Sequence, residues 1–140
     1  MSSITEIKIR GYHLDFYNHV NNARYMEFIE EGRWDFFSGF LNSGFQKKID
    51  WQIVIVNINI NFRKPVKLGD ILIIETAVQK ISKKSFTLIQ KCILKGSGEV
   101  AADALVKMVA VDKKLQRAVT VNEKMQKIIF SGNRINASEQ

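Results

Sequence analysis

The chain has 140 residues, 46% hydrophobic and 25% charged, with a net charge of +7 from 21 basic and 14 acidic side chains. That length suits one domain, and the balance excludes a disordered chain, a fibrous repeat and two ordinary-sized domains. The single cysteine, Cys92, excludes an intrachain disulfide and a cysteine zinc cluster, and no apolar run approaches the roughly 18 residues of a membrane helix.

The start, Met1–Glu6, is polar, with no basic stretch leading into an apolar one; with one thiol, this reads as a cytoplasmic protein. The positive charge points to an anionic partner. Its basic pairs (Lys47-Lys48, Arg63-Lys64, Lys83-Lys84, Lys113-Lys114) are scattered rather than gathered into one stripe. A solvated basic surface, and after it a phosphorylated small ligand, is therefore favoured over nucleic acid.

One domain is expected over residues 1–131, followed by a polar, flexible tail at 132–140. Glu6–Tyr12 reads as a first strand, with Ile7 and Ile9 alternating against Lys8 and Arg10. Asp15, Asn18, Asn21 and Asn22 then form a cluster of turn and cap residues. From about Ala23 to Phe37 the period is helical: Tyr25, Phe28, Ile29, Gly32 and Phe36 gather on one face, with the acidic residues elsewhere. Gly32 costs about 1 kcal/mol of helix propensity relative to alanine, which predicts a very close approach there. A turn region is expected over Gly39–Gly44.

Val54, Val56, Ile58, Ile60 and Phe62 then alternate with Ile55, Asn57, Asn59, Asn61 and Arg63, a strong strand pattern. Further strands are predicted at Ile71–Ile81, Ser85–Leu94 and Val100–Val111. The short links Lys67–Asp70, Ser82–Lys84 and Lys95–Gly98 predict antiparallel neighbours throughout. A last helix is expected at Asn122–Phe130, capped by Thr120 or Asn122. The order β-α-β-β-β-β plus a terminal helix gives an α+β class: one antiparallel sheet wrapped around one long helix. Its edges call for a second copy, in a homodimer or homotetramer.

The segment Gly11-Tyr12-His13-Leu14-Asp15-Phe16-Tyr17-Asn18-His19-Val20-Asn21-Asn22 holds both histidines, a carboxylate and three amides. It ends at the start of the main helix, where unpaired N–H groups and a partial positive charge suit an anion or a carbonyl acquiring negative charge. Asp15 just upstream reads either as a turn or capping carboxylate or as a general base or nucleophile. Asn21 or Asn22 reads as the N-cap, and His19 as a hydrogen-bonded structural histidine or a catalytic one. His13, His19 and Asp15 match no zinc spacing, so no metal is expected. Cys92 reads as a small packed residue. No G-x-S-x-G elbow and no Gly-rich phosphate loop is present.

This segment resembles the opening signature of the hotdog-fold thioesterases of the 4-hydroxybenzoyl-CoA thioesterase type: an aspartate, then a His-Val-Asn-Asn stretch, a tyrosine and an acidic helix. Here that runs from Asp15 through Asn18–Asn22 and Tyr25 to Glu30-Glu31-Gly32-Arg33. The likeness continues in Val56–Pro65, in Gly69-Asp70 and in Val100–Ala104, and spans roughly residues 5–118. Within the family, Gly11-Tyr12-His13-Leu14-Asp15 is similar to the bacterial long-chain acyl-CoA thioesterases of fatty-acid metabolism. Many other members carry an acid at the position of His13 and a glycine at that of Asn18. Asparagine is the next residue after glycine to tolerate positive φ.

The resemblance implies a hotdog fold and hydrolysis of acyl-CoA thioesters, long-chain fatty acyl-CoA foremost, without metal or organic cofactor. Asp15 takes the position of the family's catalytic aspartate. The N–H groups near Asn21 and Asn22 would polarise the thioester carbonyl, and His19 would shape the loop or orient Asp15. The strand Val54–Phe62 would supply pocket wall. The substrate-binding candidates are Tyr25, Asn57, Asn59, Arg63 and Lys64, the last two for CoA phosphates. The site is expected at a subunit interface. An acyl-thioester hydratase or dehydratase of the same fold, or a non-catalytic acyl-CoA-binding module, is the alternative.

Overall fold

The computed structural model describes residues 2–131, so the expected tail at 132–140 lies outside the described residues. The elements are β1 (Ser2–Lys8), a 3-10 turn (Gly11–His13), α1 (Asn22–Phe36), α2 (Ser38–Asn42), α3 (Phe45–Lys48), β2 (Trp51–Phe62), β3 (Ile71–Ile81), β4 (Ser85–Leu94), β5 (Val100–Asp112) and α4 (Glu123–Ile129). The five strands make one antiparallel sheet in the order β1-β3-β4-β5-β2, with α1 lying over β1, β3 and β4. One long helix against one antiparallel sheet is the hotdog arrangement that the sequence predicts.

The stripe on α1 is the reason the helix docks. Tyr25, Phe28, Ile29, Gly32 and Phe36 are all buried, while Glu27, Glu30, Glu31 and Asp35 face solvent. A fully buried side chain such as Ile29 or Phe36 contributes roughly 1.5–3 kcal/mol. Gly32 meets the sheet where a Cβ would come within 2.8 Å of Ile74 Cγ2 and Thr76 Oγ1 and 2.9 Å of Gln90 Nε2. Beside it a buried polar strut ties α1 to β3 and β4. Arg33 Nη1 donates to Gln90 Oε1 (3.0 Å), and Gln90 Nε2 donates to the Ile29 carbonyl (2.8 Å) and to Thr76 Oγ1 (2.9 Å). Cys92 is fully buried, as a packed small residue should be.

Five features depart from the sequence reading. The first strand lies earlier, at Ser2–Lys8, because its partner β3 begins at Ile71 opposite Lys8. The chain then turns through Gly11–His13 rather than continuing extended to Tyr12. The expected turn over Gly39–Gly44 is confined to Ser43-Gly44, with Gly44 at φ 78°; residues 39–42 belong to α2, where burial of Phe37 and Phe40, the latter stacked on Trp51, overrides the Gly39 signal.

In β2 a bulge at Val56 breaks the clean alternation. Ile53 and Ile55 stand opposite Ala110 and Met108, on the same side as Ile58, Ile60 and Phe62 opposite Val106, Ala104 and Ala102. One extra residue shifts the pleat's parity, so Val54 and Val56 do not share that face.

Finally, β2 and β3 are not neighbours. β2 pairs with β5 at one edge, and β3 pairs with β1 and β4. The eight residues 63–70 can reach about 26 Å when extended, and the two intervening strands set the ends only about 14 Å apart. The segment crosses the end of the sheet instead of making a hairpin.

Candidate active site

That crossing and the start of α1 build the site. Leu14 and Val20 form a small antiparallel bridge, closed by Asp15 N–H to the His19 carbonyl (2.7 Å) and Asn18 N–H to the Asp15 carbonyl (3.1 Å). Asn18 sits at φ 62°, as a three-residue hairpin tip with a left-handed third residue requires. Asparagine therefore takes here the left-handed conformation that glycine adopts most readily. The crossing segment straps this hairpin down: Val20 N–H donates to the Val66 carbonyl (2.8 Å), and His19 bridges to Lys67.

The hydrogen bonds of Asp15 are those of the turn carboxylate, the first of its two sequence readings. Its Oδ1 accepts from Tyr17 N–H (2.8 Å) and His19 N–H (3.2 Å). Its Oδ2 has no hydrogen-bond partner among the described residues. His19 thus touches Asp15 through its backbone, and its imidazole makes no hydrogen bond among the described residues. His13 stands apart from the cavity. It is buried, with Nδ1 accepting from Arg10 N–H (2.9 Å) and its ring edge-on to Phe28. Burial, and then the nearby Arg24, lower its basicity.

At the helix start the two asparagines divide the work. Asn21 is the cap: Oδ1 accepts from Ala23 N–H (2.9 Å), its carbonyl accepts from Arg24 N–H (2.9 Å), and its own N–H donates to the His13 carbonyl (2.8 Å). The Asn22 N–H is left without a partner among the described residues. Of the two expected polarising amides, only that of Asn22 is open.

A cavity of about 270 Å³ joins these parts. Asp15, His19, Asn22 and Tyr25 line it from one side, Arg63 and Lys64 from the crossing, and Val20, Phe62 and Pro65 complete the wall. Tyr25 is 3% exposed, with burial pushing its phenol up to about 12. A carboxylate oxygen and an amide N–H, each unengaged among the described residues and each on a residue that lines this cavity, are the elements needed to deliver water to a polarised carbonyl.

A profile described as the thioesterase-like superfamily matches residues 9–129. The chain belongs to that superfamily. It is a thioester hydrolase. The long-chain acyl-CoA thioesterase FadM of Escherichia coli is 47% identical, over 89% of this chain and 98% of that protein. The crystal structure of YbaW, a probable thioesterase from Escherichia coli, superposes with a TM-score of 0.82 at 43% identity, covering 89% of this chain and 94% of that one. Slr0204, a 1,4-dihydroxy-2-naphthoyl-CoA thioesterase from Synechocystis, shares the fold at a TM-score of 0.79 and 17% identity, over 92% of this chain and 96% of that one.

Not every candidate residue of this thioesterase reaches the cavity. Asn57 and Asn59 pair with Lys107 and Leu105, on the face of the sheet turned away from α1. Asn59 lines a separate cavity there with Asn61, Lys91 and Asp103. Arg63 is bound twice by Asp103, through Nε and through Nη2 (3.3 Å to Oδ1), and Lys64 pairs with Glu99. The Arg63 guanidinium in turn holds the Asp103 carboxyl below the usual carboxylate range. Val20 and Pro65, also in the wall, enter the sequence reading only within the resembled stretches Asn18–Asn22 and Val56–Pro65 and not as site residues.

Proposed function

We propose that this thioesterase hydrolyses long-chain fatty acyl-CoA to the free acid and CoA, in the cytoplasm and without a cofactor. The carrying observation is the pairing, on one cavity, of the free Asp15 Oδ2 with the free Asn22 N–H. Asp15 takes a proton from water as the water oxygen bonds to the thioester carbon. Asn22 N–H, at the positive end of α1, takes the charge arriving on the carbonyl oxygen. Collapse of the adduct breaks the C–S bond, and the departing CoA sulfur takes the proton that Asp15 removed from water, which restores the carboxylate. Asn21 holds the helix end in place, and His19 holds Asp15 through its amide.

The long tail is supported by apolar space beyond the cavity. Because α1 lies over β1, β3 and β4, the α1-facing side of β2 stays partly open at Ile58, Ile60 and Phe62. Toward the far end of α1, two cavities of about 290 and 360 Å³ share Phe37, Leu41, Ile53 and Met108. The twelve steps from Tyr25 to Phe37 span about 18 Å of helix, room for an extended long chain. The similarity to FadM points the same way.

Arg63 and Lys64 serve the CoA phosphates by exchanging Asp103 and Glu99 for them, an easy exchange because solvent-exposed pairs are weak. The edge strand β2, with Ile55, Val56 and Phe62 exposed, pairs with a second copy to complete a homodimer or homotetramer.

The test is free-thiol release from a series of acyl-CoAs, short, long and aromatic, alongside measurement of mass in solution. Release rising with chain length from an oligomer supports the reading. Hydration of an enoyl-CoA without CoA release, or tight acyl-CoA binding without turnover, overturns it in favour of a hydratase or a binding module.

A further inference from the structure

We propose that the Tyr25 hydroxyl is a second donor to the thioester carbonyl oxygen, acting beside the Asn22 N–H. This rests on the hydrolase reading above and adds a residue to it. Tyr25 is three positions after Asn22, so the two share a face of α1. Side chains on a helix lean toward its N-terminus, which carries the phenol back over the first turn, where the Asn22 amide opens. Both residues line the same cavity.

The ring is fixed from two sides, edge-on to Phe62 (centroids 5.3 Å apart) and to Phe28 (5.9 Å). Its hydroxyl has no hydrogen-bond partner among the described residues and is not one of their fully enclosed polar atoms, so it opens to solvent on the cavity side while the rest of the side chain is almost wholly buried. A tyrosine that only filled space here would gain nothing over phenylalanine. The carbonyl oxygen of a bound thioester supplies the missing acceptor. Burial holds the phenol up at about 12, so it stays a proton donor across the working pH range.

Tyr25→Phe removes this one atom. The expected result is a kcat for long-chain acyl-CoA lower by about 10²-fold, as for loss of one oxyanion donor, with KM changed by less than about twofold. The Tm stays at or above that of the parent, since no protein hydrogen bond is lost. The pH profile of kcat keeps its shape, because the phenol does not titrate within it. A kcat within about threefold of the parent overturns the proposal. So does a loss expressed in KM, or a fall in Tm that reveals a structural partner. If the parent itself releases no thiol, the hydrolase reading falls and takes this inference with it. An active parent with an equally active Tyr25→Phe sinks this inference alone.

Discussion

Asparagine and alanine at position 15 separate the two jobs of that side chain. Asp15 Oδ1 accepts from Tyr17 N–H at 2.8 Å and from His19 N–H at 3.2 Å, and Oδ2 is unengaged among the described residues. Asp15→Asn keeps an oxygen for both amides and removes the base. Its cost to stability is the difference between a charged and a neutral acceptor, under about 1 kcal/mol for this part-exposed turn. Asp15→Ala removes both hydrogen bonds and leaves Asn18 at φ 62° with less to hold it there. That loss is comparable to a lost helix cap, about 1–2 kcal/mol. With a melting shift of about 3–4 °C per kcal/mol for a chain of this size, the asparagine variant stays within about 4 °C of the parent and the alanine variant melts roughly 3–8 °C lower. Both variants lose at least about 10²-fold in kcat, the ordinary contribution of a general base. Thermal unfolding and thiol release, measured together on the same preparations, check this. Asparagine retaining kcat within about threefold refutes the assignment of the base. Activity that merely follows the stability of the two variants shows that the turn, and not the base, is what matters.

Three further outcomes follow from particular contacts. Gly32→Leu places a side chain where even a Cβ comes within 3 Å of Ile74, Thr76 and Gln90, so it destabilises by at least about 3 kcal/mol in denaturant unfolding. A smaller loss means that α1 can lift off the sheet cheaply. The buried, neutral His13 binds a proton less readily folded than unfolded, where the ordinary value is 6.5. Its contribution to stability is therefore complete above pH 6.5 and is lost as pH falls below it toward the folded-state value. The urea midpoint of the parent, compared with that of His13→Gln, should lose its advantage as pH falls below 6.5; an advantage that grows on acidification contradicts this. Replacing Arg63 and Lys64 together by glutamine raises KM for acyl-CoA by up to about tenfold with kcat unchanged, and the difference shrinks in high salt. A KM indifferent to both the substitutions and the salt removes the phosphates from that end of the cavity.

Local chemistry carries much of this protein in its sequence. The apolar stripe of α1, the close approach at Gly32, the limits of β3 and β4, and the cap at Asn122 follow from periodicity and residue type. So does the placing of a carboxylate just before a helix start, because Asp15, Asn21 and Asn22 lie within eight residues of one another. Tertiary structure decided what depends on distant partners. β1 ends where β3 begins, 63 residues further along the chain, and the parity of β2 turns on one bulged residue set by its pairing with β5. α2 forms at Ser38–Asn42 because Phe37 and Phe40 find a buried home there, which no local signal announces, while Gly44 keeps the turn its residue type predicts. The cavity itself exists because residues 63–65 cross the end of the sheet and meet Asp15 from the far side. That meeting is a matter of sheet order. A side chain's own preferences fix which way its strand or helix faces, and only the packed sheet fixes which strand lies beside it.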